Sequence, residues 1–250
     1  MNEQFSRTEL MFGAEAMTRL KAAKVAVFGI GGVGGYAVEA LARSGIGSIH
    51  LFDYDQIELS NINRQLHATH ATIGEDKVLA AAKRISLINP DAAISCHKLY
   101  YLPETADEID LSQYDYIIDA MDTVTAKIEL AVRAASLGVW LISSMGAGNK
   151  VEAAKLELAD IYETSVCPLA KVIRRELRKR GVKALKVVYS KEEAITPKLL
   201  SPDSRHQPIG SNAFVPATAG LIMAGEVVKH ITSFPASSPS SDLGNPDNPQ

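Results

Sequence analysis

This chain has almost no cysteine: Cys96 and Cys167 are the two in 250 residues. Two thiols far apart in sequence cannot make a disulfide framework or a four-cysteine zinc site, and they fit a reducing cytoplasm. Charge of either sign is not in surplus. The net charge is −3 with 22% charged residues, which gives no global attraction to nucleic acid or to an anionic membrane. No apolar run approaches the roughly 18 residues that a membrane span needs. The opening MNEQFSRTEL lacks the apolar core of a signal peptide. There is no internal repeat. What remains is a chain with 46% apolar residues, long enough to bury a substantial core as one large α/β domain or two small ones.

Periodicity and breakers divide it. Residues 8–21 read as a helix, 24–28 as a β-branched apolar strand, 36–44 as a helix ended by Gly45 and Gly47, and 48–53 as a second strand. A helix over 75–88 closes at Asn89-Pro90, because proline disfavours helical geometry in the residue before it. Strands are expected at 93–97, 114–120 and 139–143, with a helix over 124–137. This alternation implies an α/β, Rossmann-like, doubly wound and mainly parallel sheet. A mixed C-terminal extension follows: a longer strand over 151–160, a helix over 165–180 and a strand over 185–190. Residues 191–212 read as a long loop. Residues 213–228, rich in Ala and Gly and interrupted by Pro216, read as a buried or interface helix. The Pro/Ser/Asn-rich tail over 235–250 is expected to be disordered.

The chemistry-bearing residues come in a fixed order. The turn Gly29-Ile-Gly31-Gly32-Val-Gly34 leaves the first strand, so backbone N–H groups and the next helix's positive end can face phosphates. Asp53 ends the next strand, where a carboxylate suits ribose hydroxyls, and Asp55 follows. A hydride-transferring enzyme has no need of what comes next: Ser60, Asn61, Asn63, Arg64, Gln65 and then Lys77. Arg64 is a candidate fork on the β- or γ-phosphate, and Lys77 a compact charge for the α-phosphate during attack. Either alone also fits a solvated surface charge. Asp119 and Asp122 stand at and beyond the C-terminal edge of a strand, where open α/β sheets bind ligands. Asp122 is a candidate Mg²⁺ ligand; the alternative is a cap for the following helix.

The series GIGGVG, LFDYD, SNINRQ, GEDK, INP and DAMDT resembles the ubiquitin-activating-type ATP-binding family over roughly residues 5–165. That resemblance implies an enzyme that adenylates a carboxylate with ATP and Mg²⁺. It implies that residues 1–234 form a single adenylation domain with a nucleotide-binding core over about 24–145. By the same resemblance Gly29, Gly31, Gly32, Gly34, Asp53, Asp55, Ser60, Asn61, Asn63, Arg64, Gln65, Lys77 and Asp122 hold the nucleotide, with Arg64, Lys77 and Asp122 catalytic. Phe5-Ser6-Arg7 is similar to the family's aromatic-x-Arg element, which would make Arg7 a finger supplied across a homodimer; a plain exposed arginine is the alternative.

Sulfur-carrier-activating branches of that family usually carry two CxxC pairs for zinc, and this chain has none. INRQLHATH, INPD, DLSQYDYIIDAMDTV, MGAGNK and TSVCPLAKVIRRELRKRGVK resemble instead the branch of tRNA threonylcarbamoyladenosine dehydratases. In that branch the activated carboxylate belongs to a threonylcarbamoyl group on a tRNA adenosine. Activation of a sulfur-carrier protein's C-terminal glycine is the second reading, and a nucleotide-sensing module without chemistry the third. The branch implies tRNA as partner, a homodimer, and a sulfur-transfer protein as a further partner; no membrane is implied.

Between residues 171 and 186 lie Lys171, Arg174, Arg175, Arg178, Lys179, Arg180, Lys183 and Lys186, opposed only by Glu176. Such a patch suits RNA phosphates, and Arg174, Arg175, Arg178, Lys179, Arg180 and Lys183 are the candidate tRNA contacts. The alternative is a solvated amphipathic helix packed through Val172, Ile173 and Leu177. Cys167 falls where relatives in the family place a nucleophilic cysteine, and a helix N-terminus with Lys171 or Arg174 would activate a thiolate there. A buried core cysteine is the alternative, and Cys96 is expected in the core. His67 and His70 lack a third metal ligand nearby in sequence.

Overall fold

A computed structural model of the chain describes residues 3–196 and 209–234. The expected tail over 235–250 and residues 197–208 of the expected loop lie outside the described residues. Seven strands form one sheet in the order β3-β2-β1-β4-β5-β7-β6. They are β1 (Lys24–Phe28), β2 (Ser48–Phe52), β3 (Ala93–His97), β4 (Tyr116–Asp119), β5 (Trp140–Ser144), β6 (Leu156–Asp160) and β7 (Lys186–Ser190). All neighbours are parallel except β6 and β7, which pair Leu156 with Ser190 and Asp160 with Lys186 in antiparallel register. The expected mainly parallel, doubly wound sheet is therefore present, with its mixed element confined to one edge.

Helices cover both faces. Alternate residues of β1 show the division: Val25 and Val27 join one apolar cluster, Ala26 and Phe28 the other. The first cluster is closed by α2 (Ala14–Ala22), α3 (Gly34–Arg43), α4 (Lys77–Ile88) and α7 (Val215–Ile231). The second is closed by α5 (Val124–Leu137) and α6 (Pro168–Lys179). A sheet buried on both faces explains why the strands read as near-continuous apolar runs. The apolar helix expected over 213–228 is α7, and its buried side includes Val215, Ala219, Met223 and Val227.

Several boundaries differ from the sequence expectation. The single helix over 8–21 is two, α1 (Ser6–Phe12) and α2, broken at Gly13 with φ 86°. Apolar spacing ran through the break because both helices offer apolar side chains. The long strand over 151–160 shortens to β6 behind a 3₁₀ turn at Ala153–Lys155. Here the Glu192 carboxylate accepts from the Val151 and Glu152 amides, so those residues are tied to a side chain rather than to a strand. Cys96 is not in the core: it is exposed on edge strand β3, with its Sγ 3.4 Å from the Val78 carbonyl. Alternation places a residue on a face, but cannot say that the strand carrying it is the last in the sheet.

Candidate active site

Order reverses around β1, because β2 and β3 lie to one side and β4 and β5 to the other. Open α/β sheets bind ligands at such a point, beyond the carboxyl ends of the strands. A cavity of about 320 Å³ occupies it. Gly29 makes the turn off β1 at φ 86°, and a Cβ there would lie 2.7 Å from the Ala120 carbonyl oxygen. One turn further, a Cβ on Gly34 would lie 1.8 Å from the Gly29 oxygen, so α3 can begin directly against the strand end. No side chain caps α3, and although the Gly35 amide donates to the Gly31 carbonyl at 2.9 Å, the positive end of the helix dipole stands behind the Gly31, Gly32 and Val33 turn that lines the cavity.

Ten of the thirteen residues expected to hold a nucleotide line this cavity: Gly29, Gly31, Gly32, Asp53, Asp55, Asn61, Arg64, Gln65, Lys77 and Asp122. Gly34 packs beneath it instead. Ser60 and Asn63 do not line it either. Ser60 bonds Glu58, and Asn63 donates to the Ser211 carbonyl at 3.1 Å while accepting from Arg64 at 2.9 Å. These two residues shape the turn that presents Arg64 and bring the 209–214 segment to the cavity wall.

The charged groups differ in how far they are committed. Asp53 accepts from the Ile30 amide at 2.6 Å and the Asp55 amide at 2.9 Å, which ties β2 to the glycine turn. Burial pushes its carboxyl above the usual range, against the opposing pull of Lys77 and those two amides. Lys77 begins α4; its amide donates to the Asp55 carbonyl and its Nζ lies 2.6 Å from Asp55 Oδ2. Arg64 donates to the Ser60 carbonyl at 2.9 Å and to Asn63, both neutral. Among the described residues no carboxylate pairs with it. Asp122 is exposed and accepts a long 3.4 Å contact from the Thr123 hydroxyl. The cap position of α5 belongs to Thr123, so Asp122 is left facing the cavity.

Sequence reasoning missed two features. The first is the support under the 119–122 loop. Asp119 is fully buried and holds Lys127 Nζ at 3.0 Å, the Ser143 hydroxyl at 2.6 Å and the Met121 amide at 3.1 Å, while Lys127 also donates to the Met121 carbonyl. A lysine within an otherwise apolar stretch of α5, eight residues after an aspartate at a strand end, was the available signal. The second is an aromatic wall. Tyr54 and Tyr100 stand with ring centroids 4.2 Å apart, and Leu99 and Tyr101 continue the surface. Burial and the Asp55 carboxylate push the Tyr54 hydroxyl up to about 12.

Other expected residues lie apart from the cavity. Arg7 is exposed on α1 and does not line the cavity of its own chain. Cys167 is buried, 4% exposed, within the cluster behind α5 and α6 and not in the cavity wall. It sits at the α6 N-cap position with its thiol packed in the core, the placement of the core alternative rather than of an accessible thiolate. Arg174 donates to the Thr164 carbonyl at 2.7 Å and hydroxyl at 2.6 Å, so it pins a loop rather than presenting a free charge. Arg175, Lys179 and Arg180 all pair with Glu176, Arg178 lies over the Tyr162 ring, and Lys183 is exposed. His67 is buried away from the cavity, and among the described residues no group of three His, Cys, Asp or Glu is placed to hold a metal on its own.

A glycine turn, an acid ending the second strand and an uncapped helix at a reversal of strand order define a nucleotide-binding protein of Rossmann-like fold. The chain belongs to the ThiF family, whose profile matches residues 5–250. It is 44% identical over 242 residues to the tRNA threonylcarbamoyladenosine dehydratase of Bacillus subtilis, covering 91% of this chain and 94% of that one. The crystal structure of Escherichia coli tRNA N6-threonylcarbamoyladenosine dehydratase in complex with AMP superimposes with a TM-score of 0.85 at 30% identity, covering 92% of this chain and 94% of that one. The ATP complex of the same enzyme gives 0.83 at 29%. The sulfur carrier protein adenylyltransferase of Thermus thermophilus matches over 130 residues, 52% of this chain and 48% of that one, at 35% identity.

Proposed function

We propose that this chain uses ATP to dehydrate N6-threonylcarbamoyladenosine in tRNA to its cyclic form. The observation that carries this reading is the convergence of charge on one cavity: the positive end of α3, Arg64 with no carboxylate partner among the described residues, Lys77 paired with Asp55, and the exposed Asp122. The likeness to dehydratases over nine-tenths of both chains supports that substrate over a sulfur-carrier protein, whose enzymes match about half of the chain.

The substrate carboxylate attacks the α-phosphorus of ATP, forming an acyl adenylate and releasing pyrophosphate. The ureido group then attacks the activated carboxyl carbon. The C–O bond to AMP breaks, a proton leaves, and the ring closes. Each product molecule thus costs one ATP, which becomes AMP and pyrophosphate. The protein supplies position and charge rather than a covalent intermediate. Arg64 holds the outer phosphates, Lys77 meets charge growing at the α-phosphate, and Asp53 takes ribose hydroxyls by exchanging the Ile30 amide. The Asp122 carboxylate fits Mg²⁺, which keeps most of its shell as water and phosphate oxygen and needs few protein ligands. When bound, that ion neutralises phosphate charge. In a homodimer, Arg7 would reach the partner's site from exposed α1. No helix among the described residues is long and apolar enough to cross a membrane.

The test is mass spectrometry of nucleosides from threonylcarbamoylated tRNA incubated with protein and ATP. Cyclic nucleoside, AMP and pyrophosphate should appear in equal amounts. Arg64→Ala and Asp122→Ala should each lower kcat/KM by roughly 100-fold with an unchanged Tm. Full turnover in both variants would defeat the site assignment.

A further inference from the structure

Asp119 and Lys127 are 0% and 1% exposed, so both charges have left water. Replacing such a pair by apolar side chains of similar volume often leaves a fold as stable or more so, and stability alone does not account for it. Its contacts are more specific. Lys127 Nζ meets Asp119 at 3.0 Å and donates to the Met121 carbonyl at 2.9 Å, while the Lys127 amide donates to the Thr123 carbonyl at 3.1 Å. One lysine thus holds the carbonyl on each side of Asp122. The Met121 amide donates to Asp119 at 3.1 Å, so both backbone polar groups of the residue before Asp122 end on this pair.

The loop is fixed to the sheet as well. Ser143, on β5, donates to the Asp119 carboxylate at 2.6 Å. The Ala120 amide donates to the Phe28 carbonyl at 2.7 Å, and the Ala120–Met121 peptide lies against Gly29, where a Cβ would come within 2.9 Å of the Met121 nitrogen. The Asp122 side chain has no comparable hold. Its carboxylate is exposed in the cavity wall, with a long 3.4 Å contact from Thr123. Where that carboxylate stands is set by its backbone, and the backbone is gripped from both sides by Lys127. Neither Asp119 nor Lys127 lines the cavity itself.

We infer that Lys127, anchored by Asp119, is a positioning residue that aims the Asp122 carboxylate at the metal–nucleotide complex. The inference rests on the adenylation reading for the role of Asp122, and it deepens that reading by naming what places the carboxylate. Mg²⁺ is strict about the geometry of its few protein oxygens. A loop free to move by about 1 Å would leave Asp122 present but misplaced.

Lys127→Met combined with Asp119→Asn makes both partners neutral at similar length, so no charge is left buried alone. The readout is the gain in affinity that Mn²⁺ gives to α,β-methylene ATP, a nucleotide that cannot be cleaved at the reacting phosphorus. AMP affinity without metal and the Tm are measured beside it. The Mn²⁺ gain should shrink by roughly tenfold in the double variant, the scale seen when the groups orienting a metal ligand are removed. AMP affinity should stay within about twofold of wild type. Adding Asp122→Ala should leave the triple variant no weaker than Asp122→Ala alone, because both changes remove the same contact.

A pair that only supports the fold would lower the Tm and keep the wild-type Mn²⁺ gain, or would add its loss in full to that of Asp122→Ala; either result overturns the inference. An equal loss of AMP affinity would make the pair a support of the whole cavity and overturns it too. Should the double variant not fold, Ser143→Ala removes one bond to Asp119 and unpairs no charge. A Mn²⁺ gain reduced at least about twofold there supports the positioning role, and an unchanged gain refutes it. If Asp122→Ala keeps the wild-type gain, the metal reading of Asp122 falls and takes the inference with it. A gain lost in Asp122→Ala but kept without the buried pair leaves that reading standing and refutes the inference alone.

Discussion

Cations gather in two places in this molecule, and they are handled in opposite ways. In the cavity Arg64 leans on neutral oxygens, and Lys77 meets a single carboxylate, that of Asp55. On α6 the cations outnumber those of the cavity, yet Arg175, Lys179 and Arg180 converge on Glu176 at 3.3, 3.0 and 2.7 Å. The Arg180 and Lys179 bonds hold that carboxyl down to about 2. Arg174 is spent on the 161–164 turn, and Arg178 on a ring. The denser cluster is thus the more neutralised one. Charge per length of sequence is a poor measure of charge offered to a ligand; the partners of each group decide it.

The extreme of this comparison is Lys127, fully buried and fully paired. Lys127→Ala should cost about 3–5 kcal/mol, because the Asp119 carboxylate would be left buried without its cation. Urea unfolding measures the loss, and adding Asp119→Asn should restore part of it. Equal stability of Lys127→Ala and wild type would show that this buried pair does not support the 119–122 loop.

His67 reports its own burial and two cations of α4, Lys77 in the cavity wall and Arg84 outside it. Burial first, then Lys77 and Arg84, push its ring down to about 4. The unfolded chain, with an ordinary histidine near 6.5, takes up a proton that the folded chain refuses. Stability is therefore full above pH 6.5 and falls as the pH drops through that value toward 4. The loss attributable to this residue is on the order of 3 kcal/mol at the acid end. Urea unfolding from pH 7 to 4.5 should show a flatter pH dependence for His67→Leu than for wild type. Parallel curves would mean that the ring is protonated in the fold.

The smallest effect concerns α6. Glu176→Gln releases three cations at once on an exposed face, where ion pairs are worth little, so the urea midpoint should stay within experimental error of wild type. If tRNA lies on this helix, its affinity at low salt should rise severalfold and its salt dependence should steepen. Filter binding over a salt series reads both. Unaltered affinity would leave α6 a solvated helix with its charges internally satisfied.

Much of this arrangement was legible beforehand, for identifiable reasons. The glycine turn, Asp53 and Asp122 could be placed because a strand, a tight turn and a helix in that order allow one geometry. Arg64 and Lys77 were legible as part of a series and not singly. The distant partnerships were not legible. That Asp119 would meet Ser143, or that Ser211 would reach Asn63 across the chain, depends on contacts between distant segments, whereas the pairs of Glu176 with Lys179 and Arg180 are local to one helix. Cys167 and Cys96 show the same limit in reverse: the candidate nucleophile is buried, and the candidate core thiol is exposed on an edge strand.

By itself the sequence determined the alternation of strands and helices, the face of each strand and the place of the glycine turn, because period, breakers and glycine act within a few residues. Tertiary structure alone decided which charges of the cavity remain free, which helix is cut in two at Gly13, and which distant side chains the cavity wall brings together. Those outcomes depend on what the fold brings alongside each group, since a charge or a hydrogen-bonding atom is available only when no neighbour has already taken it.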